Sequence, residues 1–84
     1  MKIVYSPNFR RNYKKLPEKI KILAEKKEKV FRENPFDKSL RTHKLHGKLR
    51  DSRSFSIDNR YRIIFEFTDD NTIHFHTVGK HDIY

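Results

Sequence analysis

The sequence contains no cysteine and no tryptophan, and only two of its 84 residues are glycine. Without cysteine there is no disulfide framework and no thiolate metal site, as is common in proteins of reducing compartments. Glycine-rich linkers, repeats and low-complexity runs are absent as well. We therefore expect one compact domain that spans residues 1–84.

Long apolar runs are also missing. The N-terminal segment Met1-Lys2-Ile3-Val4-Tyr5 lacks the apolar stretch of a signal peptide, and no segment approaches the roughly 20 apolar residues that span a bilayer. Hydrophobic residues make up 35% of the chain, which allows one thin core. From these absences we expect a cytoplasmic protein that has no membrane contact.

Positive charge is what the chain has in excess. Lys and Arg number 20 against 11 acidic residues, which gives a formal net charge of +9. A small body with this surplus attracts polyanions, so nucleic acid is the first candidate partner. A solvated basic surface and an acidic protein partner are the alternatives.

The first part of the chain has a helical period. After a short strand at Ile3-Val4-Tyr5, Ser6 and Pro7 are typical of a helix start, as N-cap and first helical residue. Pro17 separates a first helix from a second one, which Asn34-Pro35 ends. The apolar residues of these two helices recur at helical spacing: Phe9, Tyr13 and Leu16, then Ile20, Leu23 and Phe31. This pattern predicts a helical hairpin or one kinked helix.

After residue 48 the period changes from 3.6 to 2. Residues 53–57 and 61–67 alternate around the turn Asp58-Asn59, and Thr72 to Val78 follows a second turn. We expect a three-stranded antiparallel meander packed on the helices, with the N-terminal strand at its edge. The predicted fold class is α+β, with a mainly antiparallel four-stranded sheet and the element order β-α-α-β-β-β.

The second half also concentrates side chains that bind phosphate or transfer protons. They are His43, Lys44, His46, Lys48, Arg50, Arg53, Arg60, Arg62, His74, His76, Lys80, His81 and Tyr84. The planar guanidinium of arginine suits phosphate, and histidine can act as base or acid near neutral pH. RNA brings its own nucleophile, the 2′-OH, so such a set can cleave it without a metal. Many basic nucleic-acid binders also contain histidines, so residue types alone favour a nuclease only weakly.

The His-x-His pair of His74 and His76 has a spacing that can ligate zinc. No other cluster in the sequence has convincing metal-ligand spacing. We therefore expect hydrogen-bonded polar residues at this pair, no metal and no other cofactor.

The order of several segments resembles the RelE/ParE superfamily of type II toxin-antitoxin toxins. They are Phe9-Arg10-Arg11, Leu16-Pro17, Asn34-Pro35-Phe36, His43-Lys44-Leu45-His46-Gly47, Tyr61-Arg62-Ile63-Ile64-Phe65 and Val78-Gly79-Lys80-His81-Asp82-Ile83-Tyr84. The resemblance covers essentially the whole chain, and the ribosome-dependent mRNA endonucleases of the YafQ and YoeB kind look most similar. It implies two helices on a curved sheet and a neutralising antitoxin, with which the toxin would form a hetero-oligomer.

The resemblance also implies roles for residues of this sequence. His43 would be the general base, Arg62 would stabilise the phosphate, and His81 would be the general acid. Tyr84 would stack on a base or orient the phosphate. The candidate RNA-binding residues are Lys44, Arg50, Arg53, Arg60, Tyr61 and Lys80.

There are departures from the family pattern. Ser56 and Arg60 stand where YafQ-like toxins have further His and Asp residues, and Tyr61 replaces the family's Trp. A strict copy of that site is therefore not expected.

The expected function is that of a toxin that enters the ribosomal A site and cuts mRNA without a metal. The products would be a 2′,3′-cyclic phosphate and a 5′-OH. One alternative is a ParE-type poison of DNA gyrase, which shares the fold but has no need of a catalytic set such as His43, His81 and Tyr84. Another is an inactive relative that still binds an antitoxin. We expect any antitoxin to be acidic where it contacts this chain, and part of it to fold on binding.

Overall fold

A computed structural model describes residues 1–47, 51–68 and 70–80. The elements in chain order are strand β1 (Lys2–Tyr5), helices α1 (Pro7–Lys14) and α2 (Glu18–Glu33), a 3₁₀ helix (Lys38–Leu40), and strands β2 (His43–Lys44), β3 (Arg53–Ser56), β4 (Tyr61–Phe67) and β5 (Thr72–Lys80). This order confirms the α+β fold that the sequence predicts. The sheet has five strands in the described part of the chain, because the two-residue β2 pairs with β3 at its edge.

Local signals define the ends of the two helices. Ser6 caps α1, since its Oγ accepts a hydrogen bond from the Phe9 N–H at 3.0 Å. Pro17 separates the helices, and its carbonyl accepts the N–H of Ile20 in the first turn of α2. Helix α2 ends at Glu33, and its C-cap residue Asn34 has an extended backbone (φ −156°), as is favoured for a residue that precedes proline.

The sheet order is β1-β5-β4-β3-β2. Strand β1 runs parallel to β5, and the other neighbouring pairs are antiparallel. The register between β4 and β5 shifts at one point: Ile64 pairs with Thr77, whereas Phe65 pairs with Phe75. His76 is therefore the extra residue of a β-bulge in β5.

Both helices pack on one face of the sheet, which we call the helix face. At its centre, Phe31 of α2 stacks on Phe55 with 4.8 Å between ring centroids. The Phe31 ring also meets Phe65 and Phe75 edge-on, at 4.9 and 5.5 Å. Aromatic pairs of this kind contribute about 0.5–1.5 kcal/mol each beyond the area they bury. These four rings, each fully buried, therefore hold α2 on the sheet.

The opposite side of the sheet, which we call the second face, carries the residues that alternate with the core side chains. By strand register they are His43, Ser54, Ser56, Arg62, Ile64, Glu66 and His74. Ile64 is buried, although it does not belong to the core of the helix face. Polar and ionisable residues predominate on this face, which makes it the candidate location of a functional site.

Helices α1 and α2 are too short and too polar to cross a membrane, and the same holds for every helix in the ranges given above.

Candidate functional site

A left-handed turn brings His43 to the edge of the sheet. The 3₁₀ helix is capped by Asp37, whose carboxylate accepts hydrogen bonds from the N–H of Ser39 at 2.9 Å and from its Oγ at 2.8 Å. These two hydrogen bonds lower the pKa of the Asp37 carboxyl. The helix ends at Arg41, which has φ 53° and ψ 41°. Non-glycine residues adopt this conformation only at an energetic cost. After this turn, His43 lies opposite Ser54 of β3.

Two contacts hold the His43 ring. Its Nδ1 lies 2.9 Å from the carbonyl oxygen of Arg41, and its Nε2 lies 3.5 Å from Oγ of Ser54. His43 is exposed, whereas Ser54 is only 1% exposed. The imidazole is therefore accessible and is attached to the sheet by a buried serine.

Arg62 lies on the same face as His43. It pairs with Ser56 on β3 and with Gly79 on β5, while His43 pairs with Ser54 from the other side of β3. Alternate residues of a strand are about 7 Å apart, and β2 and β4 are about 10 Å apart across β3. The long arginine side chain and the imidazole therefore border the same region of the second face.

Two of the predicted RNA-binding residues lie on the helix face instead. Lys44 and Arg53 pair with each other, and Arg53 pairs in turn with the core residue Phe65. The Arg53 guanidinium lies over the ring of Phe67, with Cζ 5.1 Å from the centroid, which is a cation–π contact. The structure thus does not bring Arg53 or Lys44 to the region between His43 and Arg62.

The other predicted RNA-binding residues within the described ranges lie near the start of β4 and the end of β5. Tyr61 pairs with Lys80 and packs against the core of the helix face. Both line a shallow cleft of about 300 Å³ next to Pro17. Arg60 is exposed in the turn before β4, where Oδ1 of Asp58 accepts its backbone N–H at 2.8 Å. By register, Tyr61 and Lys80 lie on the face opposite to Arg62, and Arg60 borders a cleft together with Pro17 and Ile20 of the helical segment.

Three predicted site residues, Arg50, His81 and Tyr84, lie outside the described residues. Strand β5 ends at Lys80, one residue after Gly79, which is the partner of Arg62 in the sheet. The roles of His81 as general acid and of Tyr84 as a stacking residue stay predictions.

A second polar cluster lies further along the second face, and only its two histidines, His74 and His76, could be singled out from the sequence. Glu66 pairs with His74, and its Oε1 lies 3.6 Å from Nε2 of His76. The two imidazole rings are 6.5 Å apart with an interplanar angle of 20°. Across residues 1–47, 51–68 and 70–80, no three His, Cys, Asp or Glu side chains are arranged to hold a metal ion. The signal that links Glu66 to this pair is strand register, which the sequence pattern alone does not give.

A groove of about 430 Å³ lies away from these residues, between α1 and the outer side of α2. Its walls include Tyr5, Phe9 and Tyr13 on one side and Glu28 on the other. The Tyr5 hydroxyl donates a hydrogen bond to the Glu28 carboxylate. Burial, together with this hydrogen bond, raises the pKa of Tyr5 above its usual value. None of the predicted catalytic residues within the described ranges lines this groove.

Comparison with known proteins gives a consistent result. A sequence profile described as "Bacterial toxin of type II toxin-antitoxin system, YafQ" matches residues 1–83. No curated protein sequence matches the chain.

The fold is similar to those of several solved toxins. For YafQ from E. coli strain BL21(DE3), the TM-score is 0.79 at 19% identity, over 94% of this chain and 91% of that one. For a YoeB/ParE toxin from Agrobacterium tumefaciens, the TM-score is 0.81 at 14% identity, over 96% and 99% of the chains. For the YoeB dimer from Staphylococcus aureus, the TM-score is 0.77 at 22% identity, over 96% and 97%. At these identities the structures establish the shared fold.

Proposed function

We propose that this chain, which belongs to the YafQ family of bacterial type II toxin-antitoxin toxins, is an endoribonuclease that cuts mRNA on the ribosome. The observation that carries the proposal is the shared face of His43 and Arg62, on either side of the strand that holds Ser54 and Ser56. One side chain of this pair can accept a proton and the other can neutralise a phosphate. A ribonuclease that uses the 2′-OH as nucleophile needs both functions.

The proposed reaction is an internal transesterification. His43 takes the proton of the 2′-OH, the 2′-oxygen attacks phosphorus, and the bond from phosphorus to the 5′-oxygen breaks. The Arg62 guanidinium neutralises charge on the pentacoordinate phosphorane, and His81 donates a proton to the leaving 5′-oxygen. Tyr84 stacks on a base or orients the phosphate. The products are a 2′,3′-cyclic phosphate and a 5′-OH, and the nucleophile comes from the substrate, so no step needs a metal.

The charge of the chain supports a ribosomal substrate. A net charge of +9 on 84 residues attracts polyanions over long distances, and the ribosome is a large polyanion. The A site as the place of cleavage rests on the family resemblance. We expect the association to weaken as salt is added, because counterion release contributes to it.

An antitoxin is the proposed protein partner. Related folds have been solved as toxin-antitoxin complexes, namely YoeB-YefM from Staphylococcus aureus and DinJ-YafQ from E. coli. A partner of this chain should carry acidic residues where it contacts so basic a surface. Part of it is expected to become ordered on binding.

The test of the proposal is mRNA cleavage in a translation extract, read by primer extension. The parent should produce discrete breaks, and His43→Gln should lower the rate by about 10² to 10⁴-fold, the usual contribution of a general base. His76→Gln is the matched control, since His76 is a β5 histidine whose contact is Glu66, and it should cut like the parent.

Three results would overturn the proposal. Equal cleavage by the parent and by His43→Gln would remove His43 from the reaction. Intact mRNA together with accumulated cleaved DNA would indicate a gyrase poison instead, and intact mRNA with retained antitoxin binding would indicate an inactive relative.

A further inference from the structure

The contact at His43 Nδ1 defines where the imidazole hydrogen resides. Nδ1 lies 2.9 Å from the carbonyl oxygen of Arg41, two residues earlier in the chain. A carbonyl oxygen accepts hydrogen bonds and cannot donate them, so in this contact Nδ1 must carry the hydrogen. A neutral imidazole has one N–H, and Nε2 of His43 therefore bears the lone pair.

The contact at Nε2 is consistent with the same tautomer. Nε2 lies 3.5 Å from Oγ of Ser54, a hydroxyl that can donate a hydrogen. Ser54 is only 1% exposed, and a buried hydroxyl that lacks a partner is destabilising. Donation to Nε2 satisfies the buried hydroxyl of Ser54 and holds this nitrogen at the second face of the sheet.

We propose that Arg41 and Ser54 are positioning residues for His43: the Arg41 carbonyl holds the ring in its Nδ1–H tautomer, and Ser54 keeps Nε2 directed at the second face. Arg41 acts through its backbone, because the left-handed conformation (φ 53°, ψ 41°) directs its carbonyl at the imidazole. Its side chain is exposed and contacts Oδ1 of Asn59 at 3.5 Å, away from the His43 ring. What the position requires is therefore a residue that tolerates positive φ.

The catalytic consequence rests on the proposed function, whereas the tautomer itself does not. When His43 acts as the base, Nε2 accepts the 2′-OH proton and the Ser54 hydroxyl gives up its place to the substrate. The resulting imidazolium keeps its Nδ1–H bond to the Arg41 carbonyl, so the same partner serves both protonation states. Outer partners of this kind fix the orientation of functional histidines in many proteins.

The direct test is the tautomer of His43, measured by long-range ¹H–¹⁵N NMR on the free protein without RNA. The measurement is made at mildly alkaline pH, where histidine side chains are ordinarily neutral. Among the five histidines of the chain, the signals of His43 are those that disappear in His43→Gln. The expected result is a protonated Nδ1 and an unprotonated Nε2. A predominantly Nε2–H imidazole would overturn the proposal.

Two variants test the backbone of Arg41. Arg41→Asn and Arg41→Val remove the same charge and the same contact with Asn59, but asparagine tolerates the left-handed region and β-branched valine does not. Arg41→Asn should keep the Nδ1–H tautomer and cut RNA like the parent. Arg41→Val should show mixed tautomers and a fall in kcat of about 10 to 100-fold. Equal tautomers in both variants would exclude the backbone of Arg41 as the cause.

A third variant separates the two positioning residues. Ser54→Ala should retain the Nδ1–H tautomer, because the Arg41 carbonyl remains. A change to the Nε2–H tautomer in this variant would contradict the role assigned to the Arg41 carbonyl. If Arg41→Val does not fold, the spectrum of the parent still decides the proposal. An Nδ1–H imidazole in a protein that cuts no RNA contradicts only the nuclease. An active nuclease with an Nε2–H imidazole contradicts only the positioning.

Discussion

His43 and Arg62 lie on the same face of the sheet and are joined through β3, where Ser54 pairs with one and Ser56 with the other. Arg53 belongs to the same strand as these serines, but it lies on the opposite face over the ring of Phe67. Strand alternation thus divides the two strand arginines between different environments. One lies on the same face as His43, and the other is part of an aromatic contact.

The aromatic centre of the helix face should control stability. Phe31→Ala removes a fully buried ring that contacts three others, and we expect it to lower the free energy of unfolding by about 3–5 kcal/mol. Phe36→Ala is the matched control. Phe36 is 58% exposed and, among the described residues, stacks on Phe67 alone, so its loss should cost about 1 kcal/mol or less. Urea unfolding measures both, and equal losses would contradict the packing described here.

Alkaline pH should selectively remove the contribution of Tyr5. Because the pKa of Tyr5 is raised in the folded protein, the folded state binds this proton more tightly than the unfolded chain does. The stabilisation is fully present below the ordinary tyrosine pKa of about 10 and is lost as pH rises above it.

The measurement compares denaturant unfolding of the parent and of Tyr5→Phe at neutral pH and above pH 10 or so. As the pH rises, the free energy of unfolding of the parent should fall relative to that of Tyr5→Phe. A difference that is independent of pH would show that Tyr5 ionises equally in both states.

RNA binding should depend on salt in proportion to the phosphates contacted. For a single-stranded RNA whose 2′-OH groups are replaced by hydrogen, the logarithm of the binding constant should fall linearly with that of the salt concentration. Each phosphate contact adds about 0.7 to the slope, so Arg62→Ala should reduce the slope by about that amount. Binding that is insensitive to salt would argue against a phosphate-directed surface.

Much of the fold could be predicted because its signals are local. The cap at Ser6, the break at Pro17 and the strict alternation from Tyr61 to Phe67 correspond to features of the structure. Strand β2 was not predicted, because two residues have no detectable period and His43 becomes a strand residue only by pairing with Ser54. Such pairing depends on contacts between distant segments, which local patterns do not contain.

The face of each candidate residue was partly available from the sequence. Arg53 precedes Phe55, a typical core residue, by two positions in the strand, and the two share a face for that reason. The placement of Lys44 could not be predicted, since it follows from its pairing with Arg53. The proximity of Glu66 to His76 also required the structure, because it depends on the bulge in β5.

The most direct test of the account compares two arginines that differ in the face they occupy. Single-turnover cleavage of mRNA on programmed ribosomes is measured for Arg62→Ala and Arg53→Ala beside the parent. Arg62→Ala should be slower by about 10² to 10³-fold, the usual effect of removing one charge-stabilising group. Arg53→Ala should cut at close to the parent rate, although it loses a cation–π contact of about 0.5–1 kcal/mol. A parent-like Arg62→Ala, or an Arg53→Ala as slow as Arg62→Ala, would contradict a phosphate site on the second face.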